Sequence, residues 1–232
     1  MCSRFSLTSP PEAVRGLFGA TGEADFPPRY NIAPTQPVLI VRHDLQRRRE
    51  LRLVRWGLIP SWAKDPTSLS TLINARAETA AGKPSFRSAL RHKRCLIPAD
   101  GFYEWTGAKG AKQPHLITLR DDDRKLNSGL MGFAGLWEHW LGADGSEVET
   151  MAILTVPANR EMQAVHDRMP LVLKPEHYDA WLDCSSGSAV EIMPLLETPD
   201  DGTLTISAVS TLVNNYRNDG PEIQAAVNPT LF

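Results

Sequence analysis

The second residue of the chain is a cysteine, and its position makes it chemically distinctive. A methionine followed by a small residue is normally trimmed, so Cys2 would become the first residue and carry a free α-amine beside its thiol. An α-amine titrates at about 7.7 to 8.0, so a useful fraction is nucleophilic at neutral pH. Such a 1,2-aminothiol condenses with an aldehyde to a Schiff base and then to a thiazolidine ring, and it can also attack amides. From its position alone, an incidental second residue is the preferred explanation for Cys2.

Turn and cap residues bound the elements that would position this cysteine. Ser9, two prolines and Glu12 have the form of a capping box with proline at the first helical position, and they predict a short helix ending near Gly19. The alternating or β-branched runs 37–42 and 51–57, separated by the polar turn 46–49, predict a hairpin. Further strands are predicted at 94–97, 115–120, 130–137, 150–156 and 204–210, helices at 159–165, 175–182 and 188–196, and the least ordered loops at 107–112 and 142–146.

The predicted strands and helices do not alternate regularly along the chain. Strands dominate the centre, short helices lie between them, and the sequence holds no internal repeat or low-complexity linker. We therefore predict a single α+β domain over residues 1–232, with a strand-rich, barrel-like centre flanked by short helices. The tail from about residue 219 is expected to be peripheral. A chain of 232 residues can bury a sufficient core without disulfides.

Cysteine usage and hydropathy indicate the compartment. Cys2, Cys95 and Cys184 are odd in number and far apart, in no spacing typical of a zinc site. We therefore expect no metal, no cofactor and a reducing compartment, the cytoplasm. The first twenty residues lack the apolar core of an export signal, and no stretch approaches the roughly 18 apolar residues of a membrane span. These features argue against an exported or membrane-spanning protein.

The net charge of −2 conceals a strong asymmetry between the two halves of the chain. Residues 1–112 contain 18 Lys and Arg against 9 Asp and Glu, whereas residues 113–232 contain 7 against 18. Segment 42–55 has six arginines and two acids, and segment 87–94 has four cations and no acid. Such clusters can attract a polyanion, but on charge alone solvated strand edges and a helix face are the commoner explanation.

Five motifs follow Cys2 in order and make the sequence specific. They are Asn31-Ile32-Ala33-Pro34-Thr35-Gln36, Trp56-Gly57-Leu58-Ile59-Pro60-Ser61-Trp62, Ile73-Asn74-Ala75-Arg76-Ala77-Glu78-Thr79, Arg94-Cys95-Leu96-Ile97-Pro98-Ala99-Asp100-Gly101-Phe102-Tyr103-Glu104-Trp105 and His166-Asp167-Arg168-Met169-Pro170. With the terminal cysteine they closely resemble the SRAP family, the SOS response-associated peptidase proteins, from Cys2 to about Asn218. The resemblance implies a single α+β domain and a trimmed N-terminal cysteine that crosslinks to abasic sites in single-stranded DNA. It also implies a role in the DNA damage response, as a self-processing thiol peptidase or as a shield for the lesion.

The resemblance assigns catalytic roles to four residues. Cys2 matches the nucleophile, whose amine would attack the ring-opened C1′ aldehyde and whose thiol would close the thiazolidine. Asn74 matches the asparagine on the aldehyde side, which can donate to the developing sugar oxygen. Glu104 matches the acid/base carboxylate, and His166 matches the histidine suited to protonating the sugar ring oxygen. Without the resemblance, a turn or cap for Asn74, an exposed strand position for Glu104 and a structural role for His166 would be preferred.

Four further residues are expected to contact DNA. Arg4 and Arg76 lie beside matched catalytic positions, and a guanidinium suits the phosphates flanking a missing base, although either residue could be a structural ion-pair partner. Pro34 and Trp62 match positions where the family presents apolar surface to bases next to the lesion. The family usually has glycine where this chain has Ser3, which would be costly if the backbone there needed positive φ or close approach to DNA.

Two other classes of function stay open at this stage. An N-terminal-nucleophile amidase or self-cleaving peptidase would use the same Cys2, Asn74 and Glu104. A non-enzymatic reader of modified DNA would need the basic residues and Trp62 but not Cys2. The favoured prediction is an enzyme with autopeptidase, crosslinking and lyase-like activity that acts as a monomer. We expect it in the cytoplasm, associated with the nucleoid when it is bound to DNA.

Overall fold

The computed structural model describes residues 2–22, 26–108, 110–120 and 127–227. Strands and short helices share this part of the chain, which confirms the α+β class. The strands are β1 (Phe5–Leu7), β2 (Arg29–Ile32), β3 (Pro37–His43), β4 (Arg49–Trp56), β5 (Asn74–Arg76), β6 (Arg94–Ala99), β7 (Gly101–Thr106), β8 (Gln113–Leu119), β9 (Met131–Leu141), β10 (Glu147–Pro157), β11 (Arg168–Pro170), β12 (Val172–Leu173) and β13 (Leu204–Ala208). The helices are α1 (Pro11–Phe18), α2 (Ala77–Ala80), α3 (Arg87–His92) and α4 (Tyr178–Leu182), with 3-10 turns at Pro66–Ser68, Met162–Ala164, Pro175–His177, Met193–Leu195, Thr211–Asn214 and Pro221–Gln224.

Five of the strands close into a ring, which is the predicted barrel-like centre. Strand β3 pairs with β4 and β6, β6 pairs with β9, and β9 pairs with β10, all antiparallel. Strand β10 then returns to β4 in parallel. All six residues of β6 are buried, because α3 and α4 cover this strand. The buried Arg94 joins both helices to the ring, since its guanidinium donates to the carbonyl oxygens of Leu90 at 2.8 Å and Trp181 at 2.5 Å.

A second, antiparallel sheet carries the N-terminus of the chain. Its strand order is β13, β8, β7, β1 and β2, so β1 lies inside the sheet. The ring of Phe5 on β1 packs edge-on against Trp56 and Phe133 of the closed ring, with centroid distances of 5.2 and 6.1 Å. The residues that precede Phe5 therefore begin where the second sheet meets the ring, and Cys2 belongs to the same buried core.

A buried asparagine ties the C-terminal segment, residues 211–224, to the second sheet. Asn31 of β2 has no exposed surface, and its Oδ1 accepts a hydrogen bond from Arg4 at 2.6 Å. Its Nδ2 donates to the carbonyl oxygens of Val213, Asn215 and Asn218 at 3.2, 3.1 and 2.7 Å. These bonds supply buried polar groups with partners and connect Arg4 to the segment, so Asn31 helps to fix the path of the segment.

The segment beyond residue 218 also packs against β2. The carboxylate of Asp219 accepts from the backbone N–H groups of Tyr30 and Asn31 at 2.6 and 2.8 Å, and it pairs with Arg29 at 2.5 Å. Ile223, in the following 3-10 turn, is fully buried. Residues 219–224 therefore contribute side chains to a small apolar cluster on the outer side of the second sheet.

Ion pairs between the two halves of the chain neutralise much of the arginine-rich hairpin β3–β4. Acidic residues from the second half reach three of its arginines, which is why the basic run does not form a free cationic surface. The pairs are Arg42 with Glu50 and Glu149, Arg47 with Asp183, and Arg49 with Asp179, at 2.5 to 2.9 Å.

Several predicted elements are confirmed. Hairpin β3–β4 pairs from Pro37 with Arg55 to His43 with Arg49. Strands also form over each of the other five predicted ranges, and a helix follows a 3-10 turn within 175–182. The loops 107–112 and 142–146 connect β7 to β8 and β9 to β10, with residue 109 outside the described residues.

The predicted first helix forms as α1, but its expected cap does not. It ends at Gly19, whose φ of 57° is left-handed. The Ser9 hydroxyl donates instead to Asp100 at 2.5 Å. It therefore binds the connection between β6 and β7 and not the first turn of α1.

Two predicted helices are wrong. Segments 159–165 and 188–196 form only the 3-10 turns Met162–Ala164 and Met193–Leu195. In the second segment Pro194 lacks an N–H and disfavours a helical residue before it. In the first, Asn159 Oδ1 accepts from the Met162 N–H at 3.2 Å, as an N-cap residue does, but the 3-10 turn that follows ends at Ala164.

Candidate active site

Cys2 is completely buried just ahead of β1. Its Sγ–H donates to the carbonyl oxygen of Arg4 at 3.7 Å. Burial, and in second place the charge of Glu104, raises the pKa of the Cys2 thiol far above its ordinary value. The thiol is therefore held as S–H at neutral pH, which makes it a poor nucleophile until a strong electrophile lies beside it.

Asn74 connects the strand ring to the segment that carries Cys2. It is the first residue of β5, which pairs in parallel with β10 so that Asn74 lies opposite Ile153. Its Nδ2 donates to the carbonyl oxygen of Cys2 at 2.7 Å. Its Oδ1 is buried and accepts no hydrogen bond from the residues that the structure describes. A buried acceptor of this kind has room for a donor that belongs to a substrate or to a processed N-terminus.

Glu104 approaches Cys2 from the second sheet. It lies on β7, which pairs with β1 through Phe102 and Phe5, and Tyr103 N–H donates to the carbonyl of Arg4 at 2.9 Å. Only 4% of Glu104 is exposed. The expected desolvation of this side chain is present, and its carboxylate is close enough to Cys2 to act on the thiol electrostatically. Cys2, Asn74 and Glu104 thus form one cluster.

His166 lies between the turn Met162–Ala164 and β11, with 28% of its side chain exposed. Its backbone N–H donates to the Met162 carbonyl at 2.8 Å. Its Nδ1 lies 2.9 Å from the backbone N of Arg168 and 2.8 Å from Oδ1 of Asp167. The position is a loop at the end of β10, as the sequence predicted, and Arg168 connects it to the β5 side of the site.

The two arginines expected to bind DNA differ in their surroundings. Arg4 is half-buried, and its Nη1 donates to Asn31 Oδ1 at 2.6 Å and to the Val213 carbonyl at 2.9 Å. Desolvation lowers the pKa of Arg4, and its guanidinium lies 5.8 Å from the Trp105 ring. Arg76, at the end of β5, is exposed. Arg4 therefore has a structural role whatever else it binds, while Arg76 is open to a ligand.

The apolar pair expected to face DNA bases lies on two loops. Pro34 is half-buried in the turn between β2 and β3. Trp62 is 57% exposed, and its Nε1 donates to the Pro84 carbonyl at 3.3 Å, which orients the indole. Trp56 is fully buried, whereas Trp105 is half-buried at the edge of the small outer cluster. Trp62 is thus the tryptophan most available for stacking among these three.

Ser3 fits the backbone that this chain adopts. Among the described residues, positive φ outside glycine occurs at Thr35, Arg47 and Ser128, and Ser3 is not one of these. The absence of the usual glycine therefore causes no left-handed strain between Cys2 and Arg4.

Three residues that support the candidate site were not predicted from the sequence. Asn31, Glu78 and Arg168 make side-chain contacts that hold Arg4 or the His166 loop in place. All three lie inside the motifs quoted above, so their positions were visible. Their pairings were not, because each joins segments tens of residues apart.

The described residues contain no group of three or more His, Cys, Asp and Glu side chains arranged to hold a metal ion. In the same ranges, no helix has the length and apolar character needed to cross a lipid bilayer.

Asn74 from the strand ring and Glu104 from the second sheet both lie near Cys2. They define a site built around this cysteine. The family model described as SOS response associated peptidase (SRAP) matches residues 1–216. The chain belongs to this family.

Named relatives and solved structures agree with this assignment. Abasic site processing protein YoqW of Bacillus subtilis (strain 168) is 40% identical over 227 residues, which cover 96% of this chain and 98% of that protein. Abasic site processing protein HMCES of Gallus gallus is 35% identical over 225 residues, covering 86% of this chain and 66% of that protein. A crystal structure of a protein from Bacteroides thetaiotaomicron matches with a TM-score of 0.85 at 26% identity, covering 98% of this chain and all of that one.

Proposed function

We propose that this chain processes abasic sites in single-stranded DNA and links to them covalently through Cys2 after removal of Met1. The observation that carries the proposal is the clustering of Asn74 and Glu104 on Cys2, with the Asn74 amide 2.7 Å from its carbonyl oxygen. The names of the relatives, which are abasic site processing proteins, support the substrate. The ring-opened abasic sugar is an aldehyde, and an aminothiol is the side-chain chemistry suited to capture it.

The proposed reaction needs no oxidant or metal. The neutral α-amine of Cys2 attacks C1′ and forms a C–N bond, and the C=O π electrons move to oxygen. That oxygen takes two protons in turn, balanced by the two that the amine nitrogen loses, and it leaves as water, which gives the imine. Sγ then bonds to C1′, the C=N π electrons move to nitrogen, and the thiol proton follows them. The net result is a thiazolidine and one water. Glu104 accepts the proton of the α-ammonium, and His166 supplies a proton to the sugar ring oxygen during ring opening.

The environment of the thiol supports this order of events. Because burial raises its pKa, the Cys2 thiol stays protonated, and the amine is the first nucleophile. In the proposed reaction, the buried Oδ1 of Asn74, which accepts no hydrogen bond from the described residues, would accept from that amine or from the sugar hydroxyl. The imine alone would also allow elimination at the 3′ phosphate, a lyase-like reaction. Ring closure by the thiol removes the C=N bond and so protects the strand.

Binding is proposed to combine charge and stacking. Exposed Arg76, with Arg4, would contact phosphates that flank the lesion, and Pro34 and Trp62 would cover the neighbouring bases. Pro34 and Trp62 in these positions would interrupt base stacking through the site, which favours single strands over intact duplex. We propose a single-domain monomer in the cytoplasm that meets its DNA at the nucleoid.

A direct test uses a single-stranded oligonucleotide carrying one abasic site, followed by denaturing electrophoresis. We expect a stable adduct with the wild-type protein and none with Cys2→Ala, while Cys184→Ala serves as the matched cysteine control. Intact mass spectrometry should show that the reactive protein lacks Met1. A full yield of adduct with Cys2→Ala, or with protein that keeps Met1, would refute the aminothiol mechanism.

A self-processing thiol peptidase is the second candidate, and the family name favours it. It would require the Cys2 thiolate to attack an amide carbonyl. The raised pKa of that thiol makes this pathway the less favoured of the two in the folded protein. Hydrolysis of peptide substrates without any DNA adduct would reverse this order.

A further inference from the structure

Arg168 makes contacts to three separate segments around His166. Its Nη1 and Nη2 donate to the two carboxylate oxygens of Glu78 at 2.5 and 3.0 Å, a bidentate pair. Nη2 also donates to the carbonyl and hydroxyl oxygens of Thr155 at 2.6 and 3.2 Å. Its backbone N–H points at Nδ1 of His166, 2.9 Å away. With 13% of its side chain exposed, this arginine is part of the framework of the site.

These contacts fix the His166 loop to the strand that carries Asn74. Thr155 of β10 lies opposite Arg76 of β5 in the parallel register, and Glu78 follows two residues later in α2. The planar fork of an arginine sets both distance and angle when it binds a carboxylate with two bonds. The backbone of Arg168 is also paired with Pro157 where β10 meets β11. The side-chain contacts of Arg168 act together with this pairing to hold its backbone N–H beside the imidazole.

That N–H decides which nitrogen of the neutral imidazole carries the proton. A nitrogen that accepts a hydrogen bond must present its lone pair, so the Arg168 N–H favours a bare Nδ1 and a proton on Nε2. The carboxylate of Asp167, 2.8 Å from the same Nδ1, favours the opposite state. Asp167 is 88% exposed, so water competes with its carboxylate for the imidazole. The backbone of Arg168 is held in place, because its side chain pairs with Glu78. Among the described residues, Asp167 contacts the imidazole, and Arg168 on the same segment pairs with Glu78 of α2, on which Arg76 of β5 also acts electrostatically.

We propose that Arg168 and Glu78 are positioning residues that hold neutral His166 as the Nε2–H tautomer, with Asp167 receiving the ring only once it is doubly protonated. The tautomer of His166 is inferred from contacts in this structure, whereas its effect on catalysis rests on the proposed function. A histidine in this state presents one defined proton donor to a sugar oxygen. It takes its second proton at the opposite nitrogen, where Asp167 can stabilise the charge.

The tautomer can be measured without any DNA, from the ¹⁵N shifts of the His166 ring nitrogens in labelled protein across a pH titration. We expect the neutral ring of the wild type to be in the Nε2–H form. Glu78→Gln weakens the charge-assisted pair, and Arg168→Lys replaces the fork by a point charge, so both variants should show a mixture of tautomers. Asp179→Asn removes a carboxylate from the exposed pair with Arg49 and should leave the His166 shifts unchanged.

Kinetics on abasic single-stranded DNA then test the consequence. Glu78→Gln should slow adduct formation by about 10-fold and move the pH profile of the rate, since small displacements of a reacting group are costly. Its noncovalent affinity, measured in a Cys2→Ala background, should not change. A wild-type Nδ1–H tautomer, or unchanged shifts in both variants, would overturn the proposal. The expected tautomers without any adduct in the wild type would instead refute the proposed function and leave the positioning role standing.

Discussion

At the scale of single residues, the three cysteines differ in their access to reagents. Burial raises the pKa of the Cys2 and Cys95 thiols, so both stay as S–H when the pH is raised to about 8. Cys184 is only half-buried, so a reagent can reach its sulfur. We therefore expect iodoacetamide to label Cys184 first in the folded protein and the other two thiols only after unfolding. Peptide mass mapping of a labelling time course measures this. Rapid alkylation of Cys2 in the native state would mean an exposed, ionised thiol and would favour the peptidase alternative.

Glu104 provides the second residue-scale prediction. Gln keeps the shape of this buried side chain but cannot accept the proton of the α-ammonium, so Glu104→Gln should slow adduct formation by about 10²- to 10⁴-fold. Single-turnover electrophoresis gives the rate. Glu147→Gln, an exposed carboxylate on β10, is the matched control and should react as the wild type does. A wild-type rate in Glu104→Gln would remove this carboxylate from the mechanism.

Residue type and motif order identify the candidate site residues in the sequence, and their catalytic roles stay predictions. The structure places Cys2, Asn74 and Glu104 near one another. Two features could not be inferred. The carbonyl of Cys2 as the partner of Asn74 depends on the parallel pairing of β5 with β10, and the internal hydrogen bonds of Arg4 depend on a segment about two hundred residues away.

At the scale of elements, Asn31 and Asp219 both hold the C-terminal segment to β2. Asn31→Ala would remove one acceptor from Arg4, which keeps its bond to the Val213 carbonyl, and the Nδ2 donor that binds the Asn218 carbonyl. Each buried group that loses a partner costs about 1 to 3 kcal/mol where water cannot reach it. We expect a loss of at least about 2 kcal/mol in the free energy of unfolding, read from urea denaturation. Asn215→Ala, the same change at an exposed position of the segment, should cost less than about 0.5 kcal/mol. Equal losses in both variants would contradict this role of Asn31.

Elements were predictable where a local pattern determines them. The hairpin β3–β4 has alternating strands and a polar turn, and it forms with Pro37 opposite Arg55 and His43 opposite Arg49. Three-residue strands such as β1, β5 and β11 carry no periodic signal, because tertiary pairing alone makes them strands. The helix predicted at 188–196 failed because apolar spacing cannot overrule Pro194.

At the scale of the whole molecule, cationic charge that is free to meet DNA is more limited than the composition of residues 1–112 suggests. The arginines of β3–β4 are mostly paired, while Arg76 is exposed beside the site. We expect Arg76→Ala to reduce the salt slope of single-stranded DNA affinity by about 0.7, the share of one contact. Trp62→Ala should weaken binding by a similar factor at every salt concentration, because stacking depends little on ions. Fluorescence anisotropy over a salt series separates the two effects, and an unchanged slope in Arg76→Ala would place the phosphate contact elsewhere.

The contacts of Arg4 also have a consequence for biosynthesis. Arg4, two residues from Cys2, is held through Asn31 and the carbonyl of Val213, a residue 209 positions further along the chain. Until Val213 has been synthesised, the residues around Cys2 lack this contact, so the removal of Met1 that the proposed function requires can precede closure of the site. We expect a chain that stops at residue 200 to lose its first residues to a broad-specificity aminopeptidase faster than the 232-residue chain does. Equal trimming rates, followed by mass spectrometry, would show that the site closes without its C-terminal partner.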